Sequence, residues 1–445
     1  MATDKTEPIA ILGAGAWGLS TAFHLLEAGY KNITVFDRAS EIPSRYSAAY
    51  DLNKIVRAEY EDDFYTDLAL KAINRWKTPL WGRNFHQVGY VLATSSEAPA
   101  KAVKHLQTAL LSVKDHPVFA AGITPLETPQ AFKDIYWQFS GPLSGFRGYH
   151  NRLAGYAHSS NAMADIHQQL VGKGVKFVLG PEDGKAVKLL YSDHDQRSLE
   201  RRCTGFQVAS GQHHYARRTI VCLGAWAATL IPDIGAYVVA KSWSVAHVQL
   251  TERESDYLRG IPVLNVRDLG FFFEPDPASR LLKLCPLGAG YVNTDKSTRI
   301  SIPPGGSVTA PRDYIPASDE KKLRQLLRET LPWLEDRPFV DQRMCWFADT
   351  ADSDYTVDFV PNTGDSLVVM SGDSGHGFKM MPIVGEWVVR LLGDGRQVQS
   401  RWQWKWIPEG KGSKDWGDDV SWRIGTTREI RDVIDERDRA VRARL

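Results

Sequence analysis

The segment Gly13-Ala14-Gly15-Ala16-Trp17-Gly18 lies between a short apolar run, Ile9-Ala10-Ile11-Leu12, and a stretch from Leu19 to Ala28 with apolar residues at helical spacing. Gly29 follows where a helix is expected to stop, and Ile33-Thr34-Val35-Phe36 reads as a second strand. In a β-α-β unit of this kind the first glycine permits a tight turn. The second lets backbone approach a pyrophosphate, and the third allows close packing of the helix. The helix N-terminus then faces the phosphates. Asp37 ends the second strand, about 20 residues past the motif, where a carboxylate accepts hydrogen bonds from ribose hydroxyls and disfavours a 2′-phosphate. The start of the chain is therefore expected to seed a doubly wound parallel sheet that binds FAD or NAD, both of which fit this unit.

A chain of 445 residues has room for two or three domains. Its 54 basic and 53 acidic side chains leave a formal charge of +1, so no global field draws it to nucleic acid or to an anionic membrane, and neither is expected as a partner. Four cysteines (Cys203, Cys222, Cys285, Cys345) form no C-x-x-C pair, which argues against structural zinc and a disulfide framework and for a reducing compartment. No basic leader precedes a long apolar run, and no run approaches the ~18 apolar residues of a spanning helix. The last residues, Ala443-Arg444-Leu445, resemble a peroxisomal address. Peroxisome or cytoplasm is the expected location.

Trp243 to Leu250 and Gly270 to Leu284 alternate and are rich in β-branched and aromatic residues, as in an antiparallel sheet. Glu320 to Leu331 is a plain amphipathic helix with a solvated charged face. Near the end, Ser366 to Met370 reads as a strand, SGDSGHGF as a glycine turn, and Pro382 to Leu392 as a helix with proline in its first turn. Strand, glycine turn and helix thus recur at both ends. The expected fold class is α/β: a Rossmann-type nucleotide domain built from discontinuous segments (1–76, 148–232 and 340–398), plus an α+β substrate domain with a mixed or antiparallel sheet (77–147 and 233–339). A charged tail, 399–445, is expected to end in a surface helix over TREIRDVIDERDRAVRARL.

Several side chains carry chemistry in their own right. Lys379 sits in the turn that opens the helix predicted from Pro382, where the macrodipole disfavours a cation, so it asks for an anionic partner such as a substrate carboxylate. Arg57 offers the fork that suits two-point carboxylate binding. Lys283, between leucines on a predicted strand, points either outward to water or inward as a buried cation. Asp349, Asp352, Asp354 and Asp358 do not meet the glycine and glutamate spacing of an EF-hand, so no metal is expected.

Six segments in order resemble the monomeric sarcosine oxidase family of flavin amine oxidases, which includes N-methyl amino acid, pipecolate and saccharopine oxidases and the fructosyl amino acid oxidases (amadoriases). They are ILGAGAWGLSTAFHLL, DLNKIVRAEY, TIVCLGAWAATL, GFFFEPD with LLKL, RMCWFADTADSDYTVDFVP and SGDSGHGFKMMP. The resemblance implies FAD, joined by a thioether from Cys345 to the flavin 8α-methyl. It implies cofactor contacts from Gly13, Gly15, Trp17, Gly18, Asp37, Gly375, Gly377, Phe378 and Lys379, and a monomer. It also implies catalytic roles: Lys379 and Arg57 on the substrate carboxylate, and Lys283 over the flavin promoting its reaction with O2. Phe271, Phe272, Phe273 and Trp346 are expected to wall the pocket. The amadoriases continue the lysine strand as a K-I-C-D-E-H-P-G type of segment whose acid contacts substrate, whereas this chain reads Lys283-Leu284-Cys285-Pro286-Leu287-Gly288. The implied function is oxidation of a secondary amino acid to an imine with release of hydrogen peroxide, with amadoriase activity as the alternative. A nicotinamide dehydrogenase would share the first motif but gives no reason for the Cys345 and Lys379 segments.

Overall fold

A computed structural model of the chain describes residues 4–192, 201–304, 314–406, 420 and 423–434. Ile9–Leu12 is buried along its whole length, as a strand covered on both faces must be. It pairs in parallel with Ile33–Asp37 on one side and Arg218–Val221 on the other. The complete sheet runs Thr356–Phe359, Leu367–Ser371, Arg218–Val221, Ile9–Leu12, Ile33–Asp37, Lys176–Leu179, with only the first pair antiparallel. Four distant stretches of sequence therefore share one Rossmann-type sheet.

The helix after the first strand, Ala16–Glu27, ends before Gly29, which takes a φ of +91°. It packs on the helix Val384–Asp394 so closely that a Cβ at Gly385 would lie 2.2 Å from the Ser20 carbonyl oxygen. That helix begins at Val384, not at Pro382 as the sequence suggests. Phe378–Met380 first makes a separate 3-10 turn, and the buried side chains of Met380, Met381 and Ile383 draw the intervening chain into the core rather than along a helix axis.

The second sheet is larger and mixed. Val238–Gln249 lies at its centre, antiparallel to Leu281–Pro286 and to the long strand Phe339–Thr350. Gly270–Phe272, Val263–Val266, Tyr90–Thr94, Arg147–Asn151 and Ile123–Leu126 extend it. One face packs on the amphipathic helix Ala317–Thr330 through Leu323, Leu326 and Leu327. Because side chains alternate along a strand, Phe272 turns to that side, with Leu284 and Leu282. It is therefore not part of the pocket wall, which Phe271 and Phe273 supply.

The tail departs from expectation. Arg428–Glu429 pairs with Tyr291–Val292 as a strand, and residues 430–434 are helical with Ile430 and Val433 buried against Tyr291. The rest of the expected surface helix and the Ala443-Arg444-Leu445 tripeptide lie outside the described residues. No helix among the described residues is long and apolar enough to cross a membrane.

A Cβ at Gly18 would sit 1.8 Å from the Gly13 carbonyl oxygen, while nothing lies within 4 Å of one at Gly393 in the helix Val384–Asp394. Gly18→Ala should cost about 1–3 kcal/mol or more through overpacking. Gly393→Ala should be neutral or stabilise by about 0.5–1 kcal/mol. Urea unfolding midpoints of the two variants check this.

Candidate active site

A cavity of about 570 Å³ opens at the carboxyl ends of Ile9–Leu12 and Ile33–Asp37 and continues to the inner face of the larger sheet. At its first end Gly13 adopts φ +105°, and a Cβ there would approach the Cys222 carbonyl oxygen to 2.5 Å. A Cβ at Gly15 would meet Ser47 Oγ at 3.1 Å. No side chain caps the Ala16–Glu27 helix, so its first-turn N–H groups face the cavity mouth without a side-chain acceptor. Asp37 accepts hydrogen bonds from Ala14 N (2.8 Å), Ala39 N (2.8 Å) and Ser44 Oγ (2.9 Å). Of about four lone-pair positions on a carboxylate, one is left for a ribose hydroxyl. The glycine cradle, the uncapped helix and the length of the cavity fit a flavin dinucleotide.

The two chain ends meet at Trp17, whose Nε1 donates to the Gly377 carbonyl (3.2 Å). Gly375, at φ +74°, leaves no room for a Cβ against the Trp243 ring 2.6 Å away, and Phe378 packs at a tilt against Trp76 while lining the cavity. Asp373 anchors this turn by accepting from Ala348 N (3.0 Å) and Gly375 N (3.1 Å), and burial pushes its carboxyl up to about 6.

Beyond the turn, Lys379 is buried and donates to Tyr60 Oη (2.8 Å) and the His376 carbonyl (2.9 Å). Arg57 lies over the ring of the same tyrosine, with Cζ 5.1 Å from the centroid, and Lys379 Nζ is 5.2 Å from it. Burial, reinforced by the like charge of Arg57, holds the Lys379 ammonium well below the usual lysine range. Burial, with Lys379 beside it, likewise keeps His376 neutral. Its Nε2 faces the Ser353 carbonyl (2.9 Å), so that nitrogen carries the proton and Nδ1 is the acceptor facing the hydroxyls of Tyr355 (2.8 Å) and Tyr60 (3.0 Å).

On the larger sheet Lys283 points inward. Its ammonium contacts Asp51 (2.5 Å) and the Asn53 carbonyl (2.7 Å) and lies 4.8 Å from the Phe273 ring. Asp51 also pairs with Lys54 (2.8 Å) and Arg343 (3.0 Å), and Arg343 pairs in turn with Asp341 (2.9 Å), so three cations share two carboxylates, an excess of one positive charge. Burial alone would raise the Asp51 carboxyl, but the charges of Lys283, Lys54 and Arg343 outweigh it and hold the group well below the carboxylate range. Cys345 lines the cavity on Phe339–Thr350, its sulfur 3.9 Å from Lys54 Nζ and 3.6 Å from the Ala48 carbonyl.

Residues 8–391 match the model of the FAD dependent oxidoreductase family. The chain belongs to this family. A similar protein is the L-saccharopine oxidase of Schizosaccharomyces pombe, 32% identical over 97% of this chain and 98% of that protein. Among solved structures, the fructosamine oxidase Amadoriase II of Aspergillus fumigatus superposes with a TM-score of 0.85 at 30% identity, covering 97% of each chain. The fructosyl peptide oxidase of E. terrenum gives 0.85 at 28%, covering 97% and 98%.

In this FAD-dependent oxidoreductase the cavity wall holds Gly13, Gly15, Trp17, Asp37, Arg57, Lys283, Cys345, Gly375, Phe378 and Lys379 together, while Gly18 and Gly377 pack just behind it. The four acids weighed as a calcium site are engaged elsewhere: Asp349 with Lys241 and Arg423, Asp352 with Lys405, Asp354 with Arg401, and Asp358 with the Trp404 amide. Sequence reasoning passed over Asp51, Lys54, Tyr60, Asn265 and Arg267. The first three lie in or beside the segment DLNKIVRAEY, already singled out for Arg57. Asn265 and Arg267 alternate with Leu264 and Val266, a period-2 signal that marks two polar residues on one strand face.

Asp51→Asn keeps the shape of the side chain but leaves Lys283 and Lys54 without their counter-charge, and should cost about 3–5 kcal/mol, as breaking one side of a buried ion pair does. Adding Lys283→Met should restore part of that loss. Urea melts of the single and double variants check this; strictly additive losses would show that the two side chains are not coupled.

Proposed function

We propose that this protein is an FAD-dependent oxidase of a secondary amino acid, N-methylated, cyclic or otherwise N-substituted, taking its C–N bond to an imine while O2 becomes hydrogen peroxide. The observation that carries this reading is the pair of cations, the buried Lys379 and the half-buried Arg57, flanking Tyr60 on the wall of the cavity that begins at the glycine cradle. Bound there, the cofactor supplies a two-electron acceptor that O2 can reoxidise.

Lys379 and Arg57 hold the substrate carboxylate, and that anion offsets their mutual repulsion. His376 contributes no charge; it orients the tyrosine hydroxyls that flank Lys379. The positive field of the site favours the neutral amine over its ammonium form, so the nitrogen lone pair is free when the adjacent C–H is cleaved. Phe271, Phe273 and Trp346 keep water from that carbon. The excess positive charge around Asp51, presented through Lys283, stabilises the anion formed as oxygen takes an electron. Cys345 is suited to form the thioether to the flavin 8α-methyl, with Lys54 accompanying the sulfur.

The alternative, oxidation of fructosyl amino acids, draws support from the likeness to Amadoriase II. Against it stands the segment Lys283-Leu284-Cys285-Pro286-Leu287-Gly288, which has no acid where that group's segment carries one.

Anaerobic mixing with N-methyl amino acids, pipecolate, saccharopine and fructosyl amino acids should bleach the flavin for a secondary amino acid, with one peroxide formed per turnover on admitting air. Flavin that no amine reduces would refute the reading. Acid precipitation should give a yellow pellet, and a white pellet after Cys345→Ala. Lys379→Met and Arg57→Met should each raise KM for the amino acid roughly 10–100-fold, the loss of one charged hydrogen-bond partner. Lys283→Met should slow oxidation of the reduced flavin far more than its reduction, as read by stopped flow.

A further inference from the structure

We propose that Asn265 and Arg267 form a second carboxylate subsite, so that the substrate is a secondary amine joining two carboxylate-bearing halves, an N-(carboxyalkyl) amino acid. This rests on the function proposed above and narrows its substrate class.

Val263–Val266 is an inner strand of the larger sheet. Leu264 and Val266 enter the core behind it, while Asn265 and the following Arg267 reach the cavity, each only 5% exposed. Asn265 pairs in register with Phe271, which sets its amide beside the apolar wall, and the Arg267 backbone is pinned by its N–H to the Ala93 carbonyl (2.8 Å). The Asn265 Oδ1 position is buried with no hydrogen-bond partner among the described residues. Because amide oxygen and nitrogen exchange by a simple flip, that position offers either a donor to a carboxylate oxygen or an acceptor to the amine N–H.

Charge points the same way. Arg57, Lys379 and Arg267 line this end of the cavity, with the buried Glu59 as the carboxylate closest in sequence to Arg57. Asp268, the neighbour of Arg267, turns its carboxylate onto Ser95 (3.0 and 2.5 Å). Burial, and the like charge of Arg57 working against the pull of Tyr90, bring Arg267 down to about 10, a cost that a bound anion relieves. A guanidinium paired with a carboxamide is also a geometry suited to two-point carboxylate recognition.

The test compares the holoenzyme with Arg267→Met, Arg267→Lys and Asn265→Ala, using L-saccharopine as the two-sided probe and L-pipecolate as the one-sided one. Arg267→Met should lower the saccharopine-to-pipecolate ratio of kcat/KM roughly 30-fold or more, chiefly through KM, and Arg267→Lys should recover part of it. An unchanged ratio, or equal losses on both substrates, would overturn the subsite. If the wild-type holoenzyme oxidises neither probe, the proposed function fails separately, and calorimetry decides the subsite: saccharopine binding weakened by Arg267→Met supports it, and equal binding overturns it. Should Arg267→Met not fold, Asn265→Ala carries the same comparison.

Discussion

Parallel pairing of Ile9–Leu12 with Arg218–Val221, and of that strand with Leu367–Ser371, is the constraint on which the site depends. Backbone hydrogen bonds between strands that are hundreds of residues apart put the glycine turn at residue 13 next to the glycine turn at residue 375. Trp17 then spans the seam to Gly377, and the two helices that follow these turns pack together at Ser20 and Gly385. Each end supplies half of a groove that neither could close alone.

The second sheet contributes charge. Lys283 and Cys345 lie on different strands, and both reach the cavity beside Asp51, whose loop comes from the opposite side. Burying several cations is costly unless counter-charges and hydrogen bonds accompany them. The protein solves this unevenly. Asp51 is shared by three cations, whereas Lys379 hydrogen-bonds, among the described residues, to a tyrosine hydroxyl and a carbonyl. Such a site is poised for anions, because every negative charge that enters relieves a repulsion already built into the fold. Dinucleotide phosphates and the carboxylate of the substrate proposed above are species of that sign.

Apolar walls set the strength of these charges. Phe271, Phe273 and Trp346 lower the local dielectric, so that fixed ammonium and guanidinium groups act over longer distances than they would in water. The neutral state of His376 belongs to the same economy: a third positive charge beside Lys379 and Arg57 would be the hardest to bury, and the ring serves instead as a hydrogen-bond bridge between Tyr60, Tyr355 and the Ser353 carbonyl.

The opening β-α-β unit, its glycines and Asp37 were legible in the sequence because they follow from local geometry: a turn that admits no Cβ and a strand buried on both faces. Cys345, Lys379, Arg57 and Lys283 were legible through ordered motifs. Partnership was not. The sharing of Asp51 by Lys283, Lys54 and Arg343 brings together residues up to 292 positions apart, and no local spacing encodes it. Phe272 could not be separated from Phe271 and Phe273 until the sheet acquired two different faces, and Pro382 was displaced from its helix by apolar side chains seeking the core. Sequence by itself determined which elements form and which chemical groups are available, since propensity and steric limits act over a few residues. Only the tertiary structure decided which charges meet, because that depends on strand order and on the cost of burying a charge without a partner.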